Sequence, residues 1–168
     1  MLFAAEWGSN AQYIPHIILG LLALLMGLYD ARYMIVDRRI SFPAIFFSLF
    51  FGIFIQHFSV VELLASAIVG GGFYALQYWI SGGKWVGKGD TELGVFMGLA
   101  LGYNVFRALL VSYWIGVIVI IPLILLTRAG RKTPVPMGAF LMLSLILFLL
   151  YETNITRFIT MISEGAWY

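Results

Sequence analysis

In 168 residues the chain carries 62% hydrophobic and only 11% charged residues, with a mean hydropathy of +0.97. A water-soluble domain has about 25% charged residues, and one this small cannot hide so much apolar surface inside itself, so lipid must cover it. A net charge of +2 gives no footing for a nucleic-acid partner, and the lack of cysteine excludes disulfides, thiolate nucleophiles and Cys-ligated zinc.

No Lys or Arg precedes Arg32. The first apolar run therefore lacks the basic start of a secretory signal and is expected to stay in the mature protein. That run extends from about Tyr13 to Tyr29 and closes at Asp30. A polar segment from Ala31 to Arg39 leads to a second run, from about Phe42 to Ile55. Gln56 to Ser59 makes a short turn before a third run, from about Val61 to Ile80. The glycine-rich stretch Ser81 to Asp90 follows, and then apolar sequence from Leu93 to Leu126, too long for one crossing. Gly102-Tyr103-Asn104 is its natural break, giving a short fourth span and a long fifth. After the polar loop Thr127 to Pro134, a sixth span occupies about Val135 to Tyr151. The periodicity predicts an all-α integral membrane protein of about six transmembrane helices, a single membrane-embedded domain over residues 1–168.

Charge placement sets the orientation. Arg32, Arg38 and Arg39 follow span one, Lys84 and Lys88 follow span three, and Arg128, Arg131 and Lys132 follow span five. These alternate loops fall on one side of the bilayer, the cytoplasmic side by the positive-inside bias. Both termini are then expected outside, with Asp30 and Asp90 together at the cytoplasmic edge. Beyond Tyr151, Ile155, Phe158, Ile159 and Ile162 follow helical spacing and predict a short amphipathic helix in the outer interface. Trp7, Tyr13, Trp167 and Tyr168 would join it in an outer aromatic belt.

Of three aspartates, Asp30 and Asp90 stand at span edges. A carboxylate so close to hydrocarbon is costly and is usually functional or paired. Two carboxylates in one small, partly dry site share a proton. The ionised member can then draw a proton from water while the protonated member polarises a peptide carbonyl. Gly87 and Gly89, which precede Asp90, would let an extended substrate backbone approach. Plainer roles stand beside these: Asp90 as a helix cap, Asp30 as a charge paired with Arg32 or Arg38, and Asp37 as a solvated loop charge. Gly94, Gly98 and Gly102 form a face for close helix packing. His16 and His57 have no partner at metal-ligand spacing, so no metal or other cofactor is expected.

With these residues in place, the chain resembles the type IV prepilin peptidases, membrane aspartyl proteases with a GxGD motif. Family members carry an aspartate followed eleven residues later by Thr or Ser and thirteen later by Pro; Asp30, Ser41 and Pro43 keep that spacing, with Ile40 at the usual aliphatic position. Gly87-Lys88-Gly89-Asp90 matches the GxGD motif, and Pro136-Met137-Gly138-Ala139-Phe140-Leu141 is similar to the segment opening the family's last span. The departures are Asp37-Arg38 in place of a Pro-Asp or Pro-Asn, and Glu92 where a lysine is common. The methyltransferase region and paired CxxC motifs of many bacterial members have no counterpart here. The Tyr29-Asp30 pair with GxGD is also similar to presenilin-type proteases, but the Pro-Ala-Leu motif of that group is missing.

The resemblance implies an endopeptidase with Asp30 and Asp90 as catalytic pair. Gly87, Gly89, Asp37, Glu92, Ser41 and Pro43 would shape the site or bind substrate. The substrates implied are prepilins or pseudopilins in the membrane, each with a short basic leader removed after a glycine, and acidic Asp37 and Glu92 would lie within reach of that leader. Two other readings stay open on the residues. The basic glycine-rich loop Ser81 to Gly89 could cradle a phosphate in a small lipid acyl- or phosphotransferase. A non-catalytic membrane scaffold would use the glycine-packed spans but leave both aspartates idle.

Overall fold

The computed structural model describes residues 14–127 and 136–163, and side chains in 14–122 and 136–151. Among the described residues six α-helices follow one another: α1 Ile14–Tyr33, α2 Arg38–Phe54, α3 Val60–Ser81, α4 Lys88–Leu101, α5 Val105–Thr127 and α6 Met137–Ser163. A single 3-10 turn, Gly102–Asn104, joins α4 to α5 at the break read from the sequence. Among the described residues three stretches are long and apolar enough to cross a membrane: Ile14–Tyr33, Val60–Ser81 and Lys88–Pro122. Helix α2 and the apolar part of α6, Met137–Tyr151, are shorter.

The helix ends follow local chemistry. Ser59 caps α3 by accepting from the Glu62 N–H at 3.1 Å, and Asp37 caps α2 by accepting from the Arg39 N–H at 2.8 Å. The aspartate expected as a solvated loop charge is thus spent on starting a helix. Gly82 closes α3 in the left-handed region (φ 59), a conformation that costs glycine no Cβ clash.

Helix α4 is the centre of the bundle. It packs against α2, α3, α5 and α6, and Leu93, Phe96, Met97 and Ala100 are fully buried on it. Its closest partner is α3. There Gly94 lies on the carbonyl of Gly70 and Gly98 on that of Ser66, so close that a Cβ at either glycine would collide with main-chain oxygen. Such backbone contact is how membrane helices associate when lipid is as apolar as their side chains. Buried serines add links between helices: Ser48 Oγ donates to the Phe96 carbonyl at 3.1 Å, and Ser144 Oγ to the Ala108 carbonyl at 2.7 Å. The outward surface is apolar, with Trp79, Phe46 and Val61 more than 70% exposed. Water would not tolerate such a surface, and a bilayer would.

Two sequence expectations meet a different arrangement. Helix α6 runs through Tyr151 to Ser163 as one element, so the tail continues that helix rather than forming a separate short one. The side chains of Ile155, Phe158, Ile159 and Ile162 lie outside the described residues, as do Trp7, Tyr13, Trp167, Tyr168 and the basic loop containing Arg128, Arg131 and Lys132. At the end of the bundle remote from the aspartates, His16 sits 3.0 Å from the Gln56 amide nitrogen and edge-on to Phe51.

Candidate active site

The alternating path of the helices brings the α1–α2 connection, the start of α4 and the start of α6 to one end of the bundle. Asp30 lies in the last full turn of α1 and Asp90 in the first turn of α4. Both are buried, at 5% and 7% exposure, yet both line one pocket of about 440 Å³. The same pocket is lined by Met34, Ile35, Val36, Gly87, Gly89 and Glu92.

Main-chain amides fix each aspartate. Asp30 Oδ2 accepts from the Ala139 N–H at 3.0 Å. That amide is free to donate because it belongs to the first turn of α6, where N–H groups have no partner within the helix. Gly138 makes the approach possible: a Cβ there would come within 2.8 Å of Asp30 Oδ2 and 2.6 Å of Leu93 Cδ1. The Pro136 to Leu141 segment thus has a definite task, holding Asp30 to the pocket. The sequence alone gives that segment a family resemblance but no partner. The available signal was a proline followed two residues later by glycine at the start of a helix.

Asp90 is held by its own loop. Its Oδ2 accepts from the Gly87 N–H at 2.8 Å, the reach-back of a residue at the third helical position towards the cap. Asp90 is therefore not the cap residue itself; Gly87 occupies that position. Gly89 serves another contact. A Cβ on it would come within 2.5 Å of Val36 Cβ, so only glycine lets the α1–α2 segment close onto the start of α4. The two glycines before Asp90 have separate uses: Gly87 donates its amide and Gly89 admits Val36.

The remaining sequence candidates divide. Glu92 lines the pocket but is not a free acid: Arg38 Nε donates to its Oε1 at 3.0 Å and Ser41 Oγ to its Oε2 at 2.5 Å. Asp37, Ser41 and Pro43 do not line the pocket. Pro43 lies inside α2, beyond its first turn, and has no N–H to give the Arg39 carbonyl. Asp30 makes no ion pair with Arg32 or Arg38 among the described residues; Arg32 instead lies 5.8 Å from the centre of the Tyr33 ring. Met137 lines the pocket and Met142 is buried. Among the described residues no group of three or more His, Cys, Asp or Glu could hold a metal ion. The arrangement is thus two buried carboxylates lining one pocket, each with one oxygen held by a main-chain amide.

The sequence profile of the type IV leader peptidase family matches residues 17–161. The prepilin leader peptidase/N-methyltransferase of Pseudomonas aeruginosa is 27% identical over 164 residues, covering 92% of this chain and 54% of that protein. The proteins of the same name from Aeromonas hydrophila and Aeromonas salmonicida are each 26% identical over 162 residues, covering 94% of this chain and 54% of theirs. The chain spans about half the length of the curated relatives it matches. No solved structure matches it.

Proposed function

This chain belongs to the type IV leader peptidase family, and from that premise we propose that it is a membrane aspartyl endopeptidase with Asp30 and Asp90 as its catalytic pair. Its substrates are prepilins or pseudopilins, from which it removes a short basic leader by cutting after glycine at the cytoplasmic membrane edge. One observation carries the reading: two buried aspartates from different helices line a single pocket at the end of the bundle where the α1–α2 and α3–α4 connections lie.

The chemistry follows from a shared proton. The ionised carboxylate removes a proton from water as its oxygen adds to the scissile carbonyl carbon, and the protonated carboxyl gives its proton to the carbonyl oxygen. The tetrahedral adduct then collapses. The C–N bond breaks, the departing amine takes a proton from the first carboxyl, and the second recovers its own. The amides of Ala139 and Gly87 keep both carboxylates in place throughout; fixed geometry of this kind is worth a large part of a rate enhancement.

The loop geometry bears on the phosphate-cradle alternative. The amides of Gly82, Gly83 and Lys84 donate to main-chain carbonyls of α3, that of Trp85 to Ser81 Oγ and that of Gly87 to Asp90. A phosphate cradle needs such N–H groups free and pointing at one spot. Their use within the protein favours the peptidase.

The test is to express the chain in a peptidase-deficient bacterium together with a prepilin and to follow leader loss by intact mass. The expected product begins immediately after the leader's glycine. An unprocessed prepilin, in cells where the chain is inserted in the membrane, would contradict the substrate assignment.

A further inference from the structure

Between α1 and α2 the chain crosses the pocket as a short strap. Met34 leaves α1 in the left-handed region (φ 53), its N–H still bonded to the Asp30 carbonyl at 2.8 Å. Met34, Ile35 and Val36 then line the pocket that holds both aspartates. Neither Ile35 nor Val36 makes a main-chain hydrogen bond among the described residues. Nothing within the strap holds it.

What holds it lies beside it. Val36 seats on Gly89. Just beyond, both carboxylate oxygens of Glu92 are bound by α2: Oε1 by Arg38 Nε at 3.0 Å and Oε2 by Ser41 Oγ at 2.5 Å. Ser41 is fully buried and the Glu92 side chain is 18% exposed, while Arg38 is 60% exposed. The contact is anchored inside the protein and reached from outside. Glu92 stands in the same helical stretch as Asp90, so whatever binds Glu92 also sets the distance between the strap and that aspartate.

We propose that Arg38, Glu92 and Ser41 form a clasp that positions the 34–37 strap as the docking edge for the substrate backbone. An extended peptide entering the pocket pairs with the free N–H and C=O groups of Ile35 and Val36, as a strand adds to the edge of a sheet. The three clasp residues are positioning residues: they act through the strap and do not touch the scissile bond. This inference rests on the peptidase reading of the site and adds to it how the substrate is held.

The test uses the full chain purified in detergent, with two readouts. Because the sequence contains no cysteine, a single Val36→Cys reports strap position through its rate of maleimide labelling. Glu92→Ala in that background is expected to speed labelling about 3–10-fold, the range for losing partly exposed, charge-assisted hydrogen bonds. In the cysteine-free chain, Glu92→Ala and Arg38→Ala are expected to raise KM for a prepilin by a similar factor, with kcat within about twofold. The exchange of charges, Arg38→Glu with Glu92→Arg, is expected to restore both readouts towards wild type.

Labelling that does not change in Glu92→Ala would overturn the clasp, whatever happens to cleavage. A loss in kcat/KM that the charge exchange fails to restore, with labelling unchanged, would also overturn it and would assign Glu92 to substrate contact. Labelling that rises and is restored by the exchange, in a protein that cleaves no prepilin, would support the clasp and remove the substrate assignment instead.

Discussion

Asp30 and Asp90 have similar burial but differ in what fixes them. Asp90 depends on Gly87, in its own loop, so its geometry is written locally in Gly87-Lys88-Gly89-Asp90. Asp30 depends on Ala139, more than a hundred positions away, and no spacing rule in the sequence links the two. The candidate pair itself was therefore legible, whereas the support for one member was not. Gly138→Ala tests that support. Its methyl group would press on Asp30 and Leu93, and cleavage is expected to fall by about tenfold or more through misplacement of the carboxylate. The cost in stability should be about 1–3 kcal/mol, read from thermal unfolding in detergent. Activity within twofold of wild type would show that the Ala139 amide does not position Asp30.

The acidic residues near the site change meaning in the same way. The family resemblance implies that acidic Asp37 and Glu92 lie within reach of a basic leader. In the fold, Asp37 caps α2 and Glu92 is bound by Arg38 and Ser41. Asp37→Ala is expected to cost about 1 kcal/mol, as lost helix caps do, and to slow lysine-rich and lysine-poor leaders alike. A selective loss for the lysine-rich leader, measured by paired cleavage assays, would return Asp37 to leader recognition.

At the scale of elements, helix positions followed hydrophobic periodicity closely because apolar runs bounded by Gly, Pro and charge leave few alternatives. The GxxxG face of α4 was legible as a packing face. Its partner was not, because Ser66 and Gly70 of α3 gain meaning only once the two helices touch. The tail misled for a physical reason: its helical spacing is real, but periodicity alone does not distinguish a new helix from the continuation of α6. Gly98→Ala probes the α3–α4 contact. Its methyl group would meet the Ser66 carbonyl, and about 1–3 kcal/mol of destabilisation is expected from overpacking. Gly20→Ala on α1, with nothing within 4 Å of the added Cβ, is the control and should be neutral or stabilising by up to about 1 kcal/mol. Unfolding in a denaturing detergent series reads both. Equal behaviour of the two variants would mean that the glycine face does not hold α4 in place.

For the whole molecule, the central fact is that the α1–α2 connection, the start of α4 and the start of α6 meet at one end. The distribution of Lys and Arg among alternate loops leads to the same expectation for Asp30 and Asp90 without any appeal to catalysis, although the loop holding Arg128, Arg131 and Lys132 lies outside the described residues. In the fold, the α1–α2 strap, the start of α4 and the start of α6 supply the pocket wall between them. Helix α4, buried against four neighbours, gives Asp90 a rigid base. The proposed chemistry asks for such a support, since two carboxylates sharing one proton work only at a fixed separation. The account stands or falls on the pair acting together. The most direct measurement is the cleavage rate of a purified prepilin by wild type, Asp30→Asn and Asp90→Asn at equal folded concentration, followed by mass spectrometry. Both substitutions keep side-chain size while removing proton transfer, and each is expected to lower the rate by about 10²–10⁴-fold. A rate within a few-fold of wild type for either variant would contradict the paired-carboxylate mechanism.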